Sequence, residues 1–337
     1  MPNFPRAGLI TAVVYCLLAC TPSPEQLSRH ERAPSRTQVA TIADDASLAL
    51  VATSEHNIQL LDLTLQQARF EWRFGEEVTP TTSQITQQVI SVAFAPDTSV
   101  VLAADRQHIV TWDTNNGDVT GYWHMGESGI QDVAISNQGR HIIIARADGT
   151  VVVFEPETGR RLEFFGHSER VNSVDVSANG RYVISGGDDH RALVWRTDNA
   201  QLVQEFPSDG RVHRVRFNPD GSTAFVASSQ VANIWHLTHG ELVSELRHRS
   251  RHNAFTSARF SPDGAYLVTG SPSRHLDIWR VNDGDRVMST QTKGRANEYP
   301  PRAVIIAVAF APDGRTVFSE NSAGFGETWA VGKLYDD

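Results

Sequence analysis

The side chains that could support catalysis are few and lie far apart in the chain. His167, Ser185 and Asp189 are the residue types of a Ser-His-Asp hydrolase triad, in which the serine attacks a carbonyl carbon and the histidine takes its proton. Such a triad needs an exposed serine beside an oxyanion hole, and nothing in the sequence around Ser185 indicates either. No paired-carboxylate motif, nucleophile elbow or dinucleotide-binding motif stands out. We therefore expect no catalytic residue.

Two further patterns could hold a ligand, but each lacks a required part. The run His236-Leu-Thr-His239 has a spacing that a metal ion could use, but no third ligand is evident and a turn is the simpler interpretation. The run Gly186-Gly187-Asp188-Asp189-His190 lacks the lysine and the following helix of a phosphate-binding loop. We expect no metal site and no cofactor.

Both cysteines, Cys16 and Cys20, lie near the N-terminus. The rest of the chain therefore has no disulfide framework, no cysteine-based zinc site and no haem attachment motif. Arg6 precedes an apolar stretch over residues 7–19, which is too short for a stable membrane-spanning helix but fits the apolar region of a secretory signal. A plain signal peptide with an incidental cysteine is one interpretation.

The residues Leu17-Leu18-Ala19-Cys20 resemble the lipobox of bacterial lipoproteins. The resemblance implies cleavage before Cys20, acylation of that cysteine and a mature protein anchored by several acyl chains in the cell envelope. Thr21 is not an aspartate, which in that family favours the outer membrane, with the periplasmic face and the cell surface both open. Residues 1–19 are then a signal peptide, and residues 20–37, rich in Pro, Ser and Arg, a tether or linker with a possible closing strand.

A short phrase recurs through the rest of the chain: an apolar-x-apolar pair followed by Pro-Asp-Gly or a close variant. The second apolar residue of each pair is separated from the next by 41, 41, 41, 43 and 50 residues; these residues are Phe94, Ile135, Val176, Phe217, Phe260 and Phe310. A weaker copy has Ile42 in this position, 52 residues before Phe94. Seven copies at this period predict a closed array of small sheets.

Each period contains the same order of elements, and these position every residue named above. A strand with the apolar pair ends in the Pro-Asp-Gly turn, an apolar run follows, and a third strand ends in a large apolar residue such as Trp112, Trp195, Trp279 or Trp329. A fourth, more polar strand completes the period. This pattern predicts an all-β protein, a seven-bladed β-propeller of four-stranded antiparallel blades over residues 38–337.

These residues resemble the WD-repeat family, although only Trp112-Asp113 spells the dipeptide that gives the family its name. His167, which follows Gly166, and Ser185, Asp189 and Trp195 stand where that family has a hydrogen-bonded set. The resemblance implies that the four residues are structural. The last copy ends near Val331, and in this family the N-terminal segment supplies the missing outer strand. Residues 24–37 are a poor strand sequence, so we expect incomplete closure of the ring.

The chain has 30 Lys and Arg residues against 39 Asp and Glu residues, a net charge of −9, which disfavours nucleic acid as a partner. Three connectors between copies differ from this background. Residues 76–88 and 289–302 are insertions, and residues 247–252 are the densest basic run. We expect these connectors to lie on one face and to bind an acidic protein segment, glycan or lipid headgroup, a solvated charged loop being the alternative. The candidate binding residues are Arg247, His248, Arg249, Arg251, His252, Lys293, Arg295, Tyr299 and Arg302.

The sequence thus favours a non-catalytic protein-interaction scaffold that is lipid-anchored at Cys20 in a bacterial cell envelope. One alternative is a propeller enzyme, such as a lactonase or a quinone-dependent dehydrogenase, with ligands in the central channel. Asp175, Arg214 and Arg216 alternate into the inner strands that would line such a channel. A glycan- or peptide-binding protein that uses the channel mouth is a third possibility.

Overall fold

The computed structural model describes residues 21–33, 35–55, 57–74, 88–247, 254–296, 298 and 302–335. Within these residues the strands form seven antiparallel sheets of four strands each, as the sequence period predicts. The fold is a seven-bladed β-propeller. No helix in the described ranges has the length and apolar character needed to cross a membrane.

The strands in chain order are β1 (Glu25–Glu31), β2 (Thr37–Ile42), β3 (Leu48–Thr53), β4 (Asn57–Asp62), β5 (Gln67–Arg73), β6 (Ser91–Phe94), β7 (Val100–Ala104), β8 (His108–Asp113), β9 (Val119–His124), β10 (Ile130–Ile135), β11 (Ile142–Arg146), β12 (Val151–Phe154), β13 (Arg161–Phe164) and β14 (Val171–Val176). They continue as β15 (Tyr182–Gly187), β16 (Arg191–Arg196), β17 (Leu202–Pro207), β18 (Val212–Phe217), β19 (Thr223–Ser228), β20 (Ala232–His236), β21 (Leu242–Glu245), β22 (Ser257–Phe260), β23 (Tyr266–Gly270), β24 (His275–Arg280), β25 (Arg286–Gln291), β26 (Ile305–Phe310), β27 (Thr316–Asn321) and β28 (Phe325–Ala330). Short 3₁₀ turns cover Asn137–Gly139 and Gly332–Tyr335.

Blades 1 to 6 are built from consecutive strands, β2–β5 through β22–β25, and blade 7 combines β26–β28 with β1. The strands of each blade alternate in direction. The turns after the first and third strands therefore share one face of the ring, which we call the turn face. The turns after the second strands and the links between blades share the other, which we call the connector face.

The recurring Pro-Asp-Gly phrase forms the turn between the first two strands. In blade 7 the Gly314 amide donates to the Ala311 carbonyl at 2.9 Å, and Gly314 has a φ of +67°, which glycine adopts without the strain that a Cβ would cause. Blade 2 has Thr98 at this point with a φ of +60°. The turn therefore tolerates a residue other than glycine, so the degenerate copies still fold as blades.

The hydrophobic core lies between neighbouring blades. One cluster joins Leu60 and Trp72 of blade 1 to Phe94 and Trp112 of blade 2, with the two indole rings stacked at 5.0 Å between centroids. Another cluster joins blade 1 to blade 7 across the point where the ring closes. Because every blade buries its faces against two neighbours, no single blade has a complete core alone.

The ring closes through β1, which pairs with β28 from Glu25 opposite Ala330 to Glu31 opposite Phe325. The expectation of incomplete closure is wrong, because Glu25–Glu31, within the segment named as a possible closing strand, pairs with blade 7. Strand propensity did not reveal this strand, whose sequence is EQLSRHE. Its polar side chains find charged partners in blade 7, and these contacts are described below.

Candidate functional site: the connector face and its closing strand

The structure brings His167, Ser185, Asp189 and Trp195 together in blade 4. His167 lies in the link that enters the blade, with its Nδ1 at 2.9 Å from the Asp189 Oδ1 and its Nε2 at 2.8 Å from the Ser185 Oγ. The Trp195 indole donates to the same Oγ at 3.4 Å. This is the connectivity of a hydrolase triad, but Ser185 is 0% exposed. The serine is therefore inside the blade, where a substrate would not reach it, and the set holds the entering link against the two middle strands.

Asp189 is the charged member of this set. Burial by itself raises the pKa of Asp189, but hydrogen bonds from His167, the Ser168 amide and Arg191 outweigh burial and lower it to about 2. Gly187 leaves the space that this arrangement needs, because a Cβ there would lie 2.8 Å from the His167 Nδ1. The carboxylate is thus ionised throughout the physiological pH range.

The central channel encloses a cavity of about 550 Å³ with a charged belt. Arg214 faces Asp132 at 3.6 Å, Arg216 faces Asp175 at 3.2 Å, and Arg259 faces Asp44 at 3.6 Å between nitrogen and oxygen. Asp175, Arg214 and Arg216 were expected in this position from the sequence; Asp44, Asp132 and Arg259 were missed. A signal for Arg259 was present, since it directly precedes the apolar residue of the repeat, as Asp175 and Arg216 do.

The aspartates of this belt also join neighbouring blades. Asp132 accepts hydrogen bonds from the Ser91 hydroxyl at 2.8 Å and from the Val174 amide at 3.2 Å, and Asp175 accepts one from the Phe217 amide at 2.9 Å. Burial, in part opposed by these carboxylates, lowers the pKa of Arg214. The belt therefore links blades 2 to 5 by charge-assisted hydrogen bonds.

Across the described ranges no group of three or more His, Cys, Asp or Glu residues is placed to hold a metal ion. The His236 and His239 rings stack at 4.7 Å between centroids, and the His236 Nδ1 accepts from the His239 amide at 3.4 Å. The pair belongs to the turn between the third and fourth strands of blade 5, in agreement with the simpler interpretation.

The predicted lipidation site Cys20 lies outside the described residues. The predicted binding residues divide into four groups, the first of which also lies outside the described residues: His248, Arg249, Arg251, His252 and Tyr299. Arg247 forms the second group. It lies in the link between blades 5 and 6, is 71% exposed, and pairs with Asp285 at 3.0 Å. Such an exposed pair contributes at most about 1 kcal/mol, so Arg247 remains able to change partners.

Lys293 and Arg295 form the third group, and the structure gives Arg295 an internal role. Its guanidinium pairs with Glu31 at 2.7 Å, donates to the Ala33 carbonyl at 2.7 Å and lies 5.2 Å from the centre of the Phe325 ring. The Lys293 carbonyl accepts a 2.8 Å hydrogen bond from Arg29 of β1. This stretch therefore also holds the closing strand in place, and partner binding by Lys293 and Arg295 stays a prediction.

The closing strand is also held by two ion pairs inside blade 7. Arg32 pairs with Glu320 at 3.2 Å, with side chains 5% and 4% exposed, and Arg29 pairs with Glu327 at 3.3 Å. Burial raises the pKa of Glu320 to about 7 although Arg32 favours the ionised form, and burial likewise raises the pKa of Glu327. Neither carboxylate was predicted from the sequence; a glutamate within the second and the third strand of the last repeat was the available signal.

Arg302 lies apart from these pairs, in a cleft of about 380 Å³ on the connector face. Two more arginines line the same cleft: Arg36, from the link between blades 7 and 1, and Arg274, from a turn of blade 6. This grouping was not foreseen, because Arg36 is more than 200 residues from the other two arginines and only ring closure places blade 1 beside blade 7.

Comparison with known proteins agrees with this architecture. Residues 159–196 and 240–280 match the family model described as "WD domain, G-beta repeat". Each matched segment ends at the tryptophan-bearing third strand of a blade, and the first contains the hydrogen-bonded set of blade 4. The matched description names a repeat and no catalysed reaction.

The chain is also similar to "Telomerase protein component 1" of Mus musculus, with 24% identity over 257 residues, or 73% of this chain. The chain spans only 9% of the length of that protein. The seven four-stranded sheets identify the fold as a seven-bladed β-propeller, and two segments of it match the WD-repeat model.

Proposed function

We propose that this protein is a non-catalytic interaction scaffold, lipid-anchored at Cys20 in a bacterial cell envelope, that binds a partner protein on its connector face. The proposal rests on one observation: the blades differ from one another mainly in the length of the links on the connector face. The links at residues 74–90, 246–256 and 292–304 are long, whereas the other links between blades have six residues or fewer. The turns on the turn face are of nearly uniform length. Variable loops on a rigid ring are the usual place for recognition.

The chemistry of the described side chains supports a binding role over catalysis. The one Ser-His-Asp arrangement is buried within blade 4, and the channel arginines and aspartates are paired with one another. WD-repeat propellers generally bind protein partners, and the fold supports the same role here.

The short distance between the anchor site and the ring supports a scaffold held close to a membrane. The closing strand begins at Glu25, and before it the Pro22 carbonyl already accepts a hydrogen bond from the Ser289 amide at 3.1 Å. Residues 21–24 could extend at most about 14 Å, at about 3.5 Å per residue. An acylated Cys20 would therefore keep the ring next to the lipid surface instead of on a long tether.

Lipid anchoring is tested by metabolic labelling with a fatty-acid analogue in a bacterial host, comparing the full chain with Cys20→Ser. We expect the wild type to incorporate label and to sediment with outer membranes, and the variant to do neither. Label in the variant, or a soluble wild type, would contradict the anchor and leave the scaffold role to the next experiment.

Partner binding is tested by a photo-reactive amino acid placed at single exposed positions in cells. Ser54 and Ser168 lie on the connector face, and Glu157 and Arg181 on the turn face serve as matched controls. We expect a discrete cross-linked protein from the first pair of sites and none from the second. Equal cross-linking from both faces would contradict binding on the connector face.

A further inference from the structure

The cleft that contains Arg302, which we call the basic cleft, is lined by three arginines and by no carboxylate of the residues that the structure describes. Arg36, Arg274 and Arg302 reach it from three separate elements, and the remaining lining residues are uncharged, among them Gln38 and Ser54. In a chain with a net charge of −9 this is a local concentration of positive charge. Because charges farther away than about 10 Å are largely screened at physiological salt, the local surplus decides what the cleft attracts.

Two of the three guanidiniums have no ion-pair partner in the part of the chain that the structure describes. Arg36 pairs with Glu298, whereas Arg274 and Arg302 have no such contact with a described residue. Arginine presents its donors as a planar fork that matches a carboxylate in bidentate fashion. The cleft can therefore accept an anionic group without first breaking an ion pair at these two side chains.

The backbone at Arg274 is a second observation. Arg274 has a φ of +69°, and the same turn position is occupied by Gly149 in blade 3, by Gly324 in blade 7 and, at a φ of +64°, by His190 in blade 4. A residue with a Cβ is strained in this left-handed region, and glycine is not. Blade 6 thus carries an arginine where glycine would fit the backbone better, which directs a cation into the cleft at some cost in stability.

The side chain of Gln38 indicates that the ligand carries a hydrogen-bond donor near its anionic group. Its side-chain amide oxygen is buried and has no hydrogen-bond partner among the described residues, and Gln38 lines the same cleft. A buried acceptor without a donor is unfavourable, so the fitting ligand offers an N–H group close to its negative charge. An acidic peptide has both groups, whereas inorganic phosphate or the phosphate of a simple lipid headgroup has no peptide N–H.

We propose that the basic cleft binds an acidic segment of a partner protein, with Arg274 and Arg302 holding a carboxylate and Gln38 accepting a backbone N–H. This inference rests on the proposed scaffold function and names the chemistry of the partner. The binding would weaken as salt concentration rises, because the guanidiniums and the carboxylate are partly exposed and therefore screened.

The test uses the full-length protein in detergent and a fluorescent peptide of alternating Glu and Ser residues, with fluorescence anisotropy as the readout. Arg274→Gly and Arg302→Ser should each weaken binding about tenfold, the effect of losing one charge-assisted hydrogen bond. Arg274→Gly also relieves the left-handed strain, so it should unfold no more easily than the wild type. This variant separates loss of binding from loss of folding.

Arg247→Ser is the matched control, since Arg247 is exposed on the same face but lies outside the cleft. It should leave peptide binding unchanged. A neutral control peptide has Gln in place of every Glu. Equal loss of binding in Arg247→Ser, equal binding of the neutral peptide, or no binding of the acidic peptide would overturn the proposal. Stronger binding to phosphatidylglycerol vesicles, or to inorganic phosphate, would overturn it in favour of a phosphate site.

The outcome separates this inference from the scaffold function. If the peptide fails to bind while Ser54 and Ser168 still cross-link a protein in cells, the acidic-segment inference fails and the scaffold stands. If the cross-links are absent while the peptide binds the cleft, the scaffold function fails and the cleft remains a site for acidic groups.

Discussion

Blades 4 and 7 share strand order and register but are stabilised by different chemistry. Ser185 lies opposite Val174 in blade 4, as Ser319 lies opposite Val308 in blade 7. The next position along the second strand is a glycine in blade 4 and Glu320 in blade 7. The partner of the serine on the third strand is likewise a leucine in blade 4 and Glu327 in blade 7. Blade 4 thus has an apolar interior where blade 7 has two buried carboxylates.

The difference follows from where the fourth strand comes from. In blade 4 a short turn connects the third strand β16 to the fourth strand β17. In blade 7 the fourth strand β1 is separated from the third strand β28 by nearly the whole chain. A slip of one residue would move Arg29 and Arg32 to the wrong side of the strand. Buried ion pairs add little net stability but penalise mispairing strongly. We infer that the carboxylates of blade 7 specify the register of a strand that local sequence cannot place.

The largest expected effect comes from removing one member of the buried pair. Arg32→Met leaves Glu320 buried and unpaired, so at pH 8 it should lower the free energy of unfolding by about 3–5 kcal/mol in urea titrations. The double variant Arg32→Met/Glu320→Leu, which approaches the apolar interior of blade 4, should recover most of that loss.

Arg196→Met is the control for this comparison. Arg196 pairs with Asp198 at 2.6 Å on the surface, where solvent screens both charges, so breaking that pair should leave the free energy of unfolding nearly unchanged. A loss in Arg32→Met as small as in the control would show that the buried pair does not stabilise the closing strand.

The two blades should also respond to pH in opposite directions. Glu320 has a pKa of about 7 against an ordinary 4.5, so the native state binds the extra proton between these values. The contribution of Glu320 to the stability of the folded state is therefore fully present below pH 4.5 and is lost as pH rises through 7. Asp189 has a pKa of about 2 against 3.8, so its contribution is present above pH 3.8 and is lost as pH falls through 2.

Urea titrations at pH 5 and pH 8 measure the first of these effects. In the wild type, Glu320 should make the protein more stable at pH 5 by about 2–3 kcal/mol relative to pH 8. Glu320→Gln should remove the part of the difference that Glu320 contributes and leave the part from Glu327, whose pKa is also raised, and Asp189→Asn should keep the whole difference because Asp189 does not titrate in this range. An unchanged pH dependence in Glu320→Gln would contradict the assignment.

A smaller effect distinguishes the hydrogen-bonded sets of the two blades. In blade 4 the Ser185 hydroxyl contacts both the His167 Nε2 and the Trp195 indole. In blade 7 the Ser319 hydroxyl accepts from the Trp329 indole at 2.9 Å and has no histidine partner among the described residues. Ser185→Ala should cost about 1–3 kcal/mol because it leaves two buried groups unpaired, and Ser319→Ala about 1 kcal/mol. Thermal unfolding measures both losses of stability. Equal losses in Ser185→Ala and Ser319→Ala would mean that the hydrogen bond to His167 does not stabilise blade 4.

The sequence predicted seven blades because the repeat is local, and each copy carries its own turn and apolar pair. It also brought the four residues of blade 4 into one group through the family resemblance. It did not predict that Arg295 contacts Glu31, that Arg32 contacts Glu320, or that Arg36, Arg274 and Arg302 share a cleft. These contacts join segments more than 200 residues apart, and only the closed ring determines which of them are neighbours. The strand β1 was not predicted because its sequence is polar, and the residues that pair with it lie in the last repeat.

The smallest expected effect concerns Arg295, whose position at the edge of blade 7 is intermediate between the buried pairs and the free surface. Its ion pair with Glu31 is partly exposed, but it also donates to the Ala33 carbonyl. Arg295→Ser should therefore cost about 1 kcal/mol, more than Arg247→Ser, whose surface pair has little effect. Because Arg295 holds the end of β1, the loss should appear as local opening: amide hydrogen exchange in Glu25–Glu31 should accelerate while exchange in β14–β17 stays unchanged. Equal acceleration in both blades would mean that Arg295 stabilises the ring as a whole and that the closing strand is not a separately opening unit.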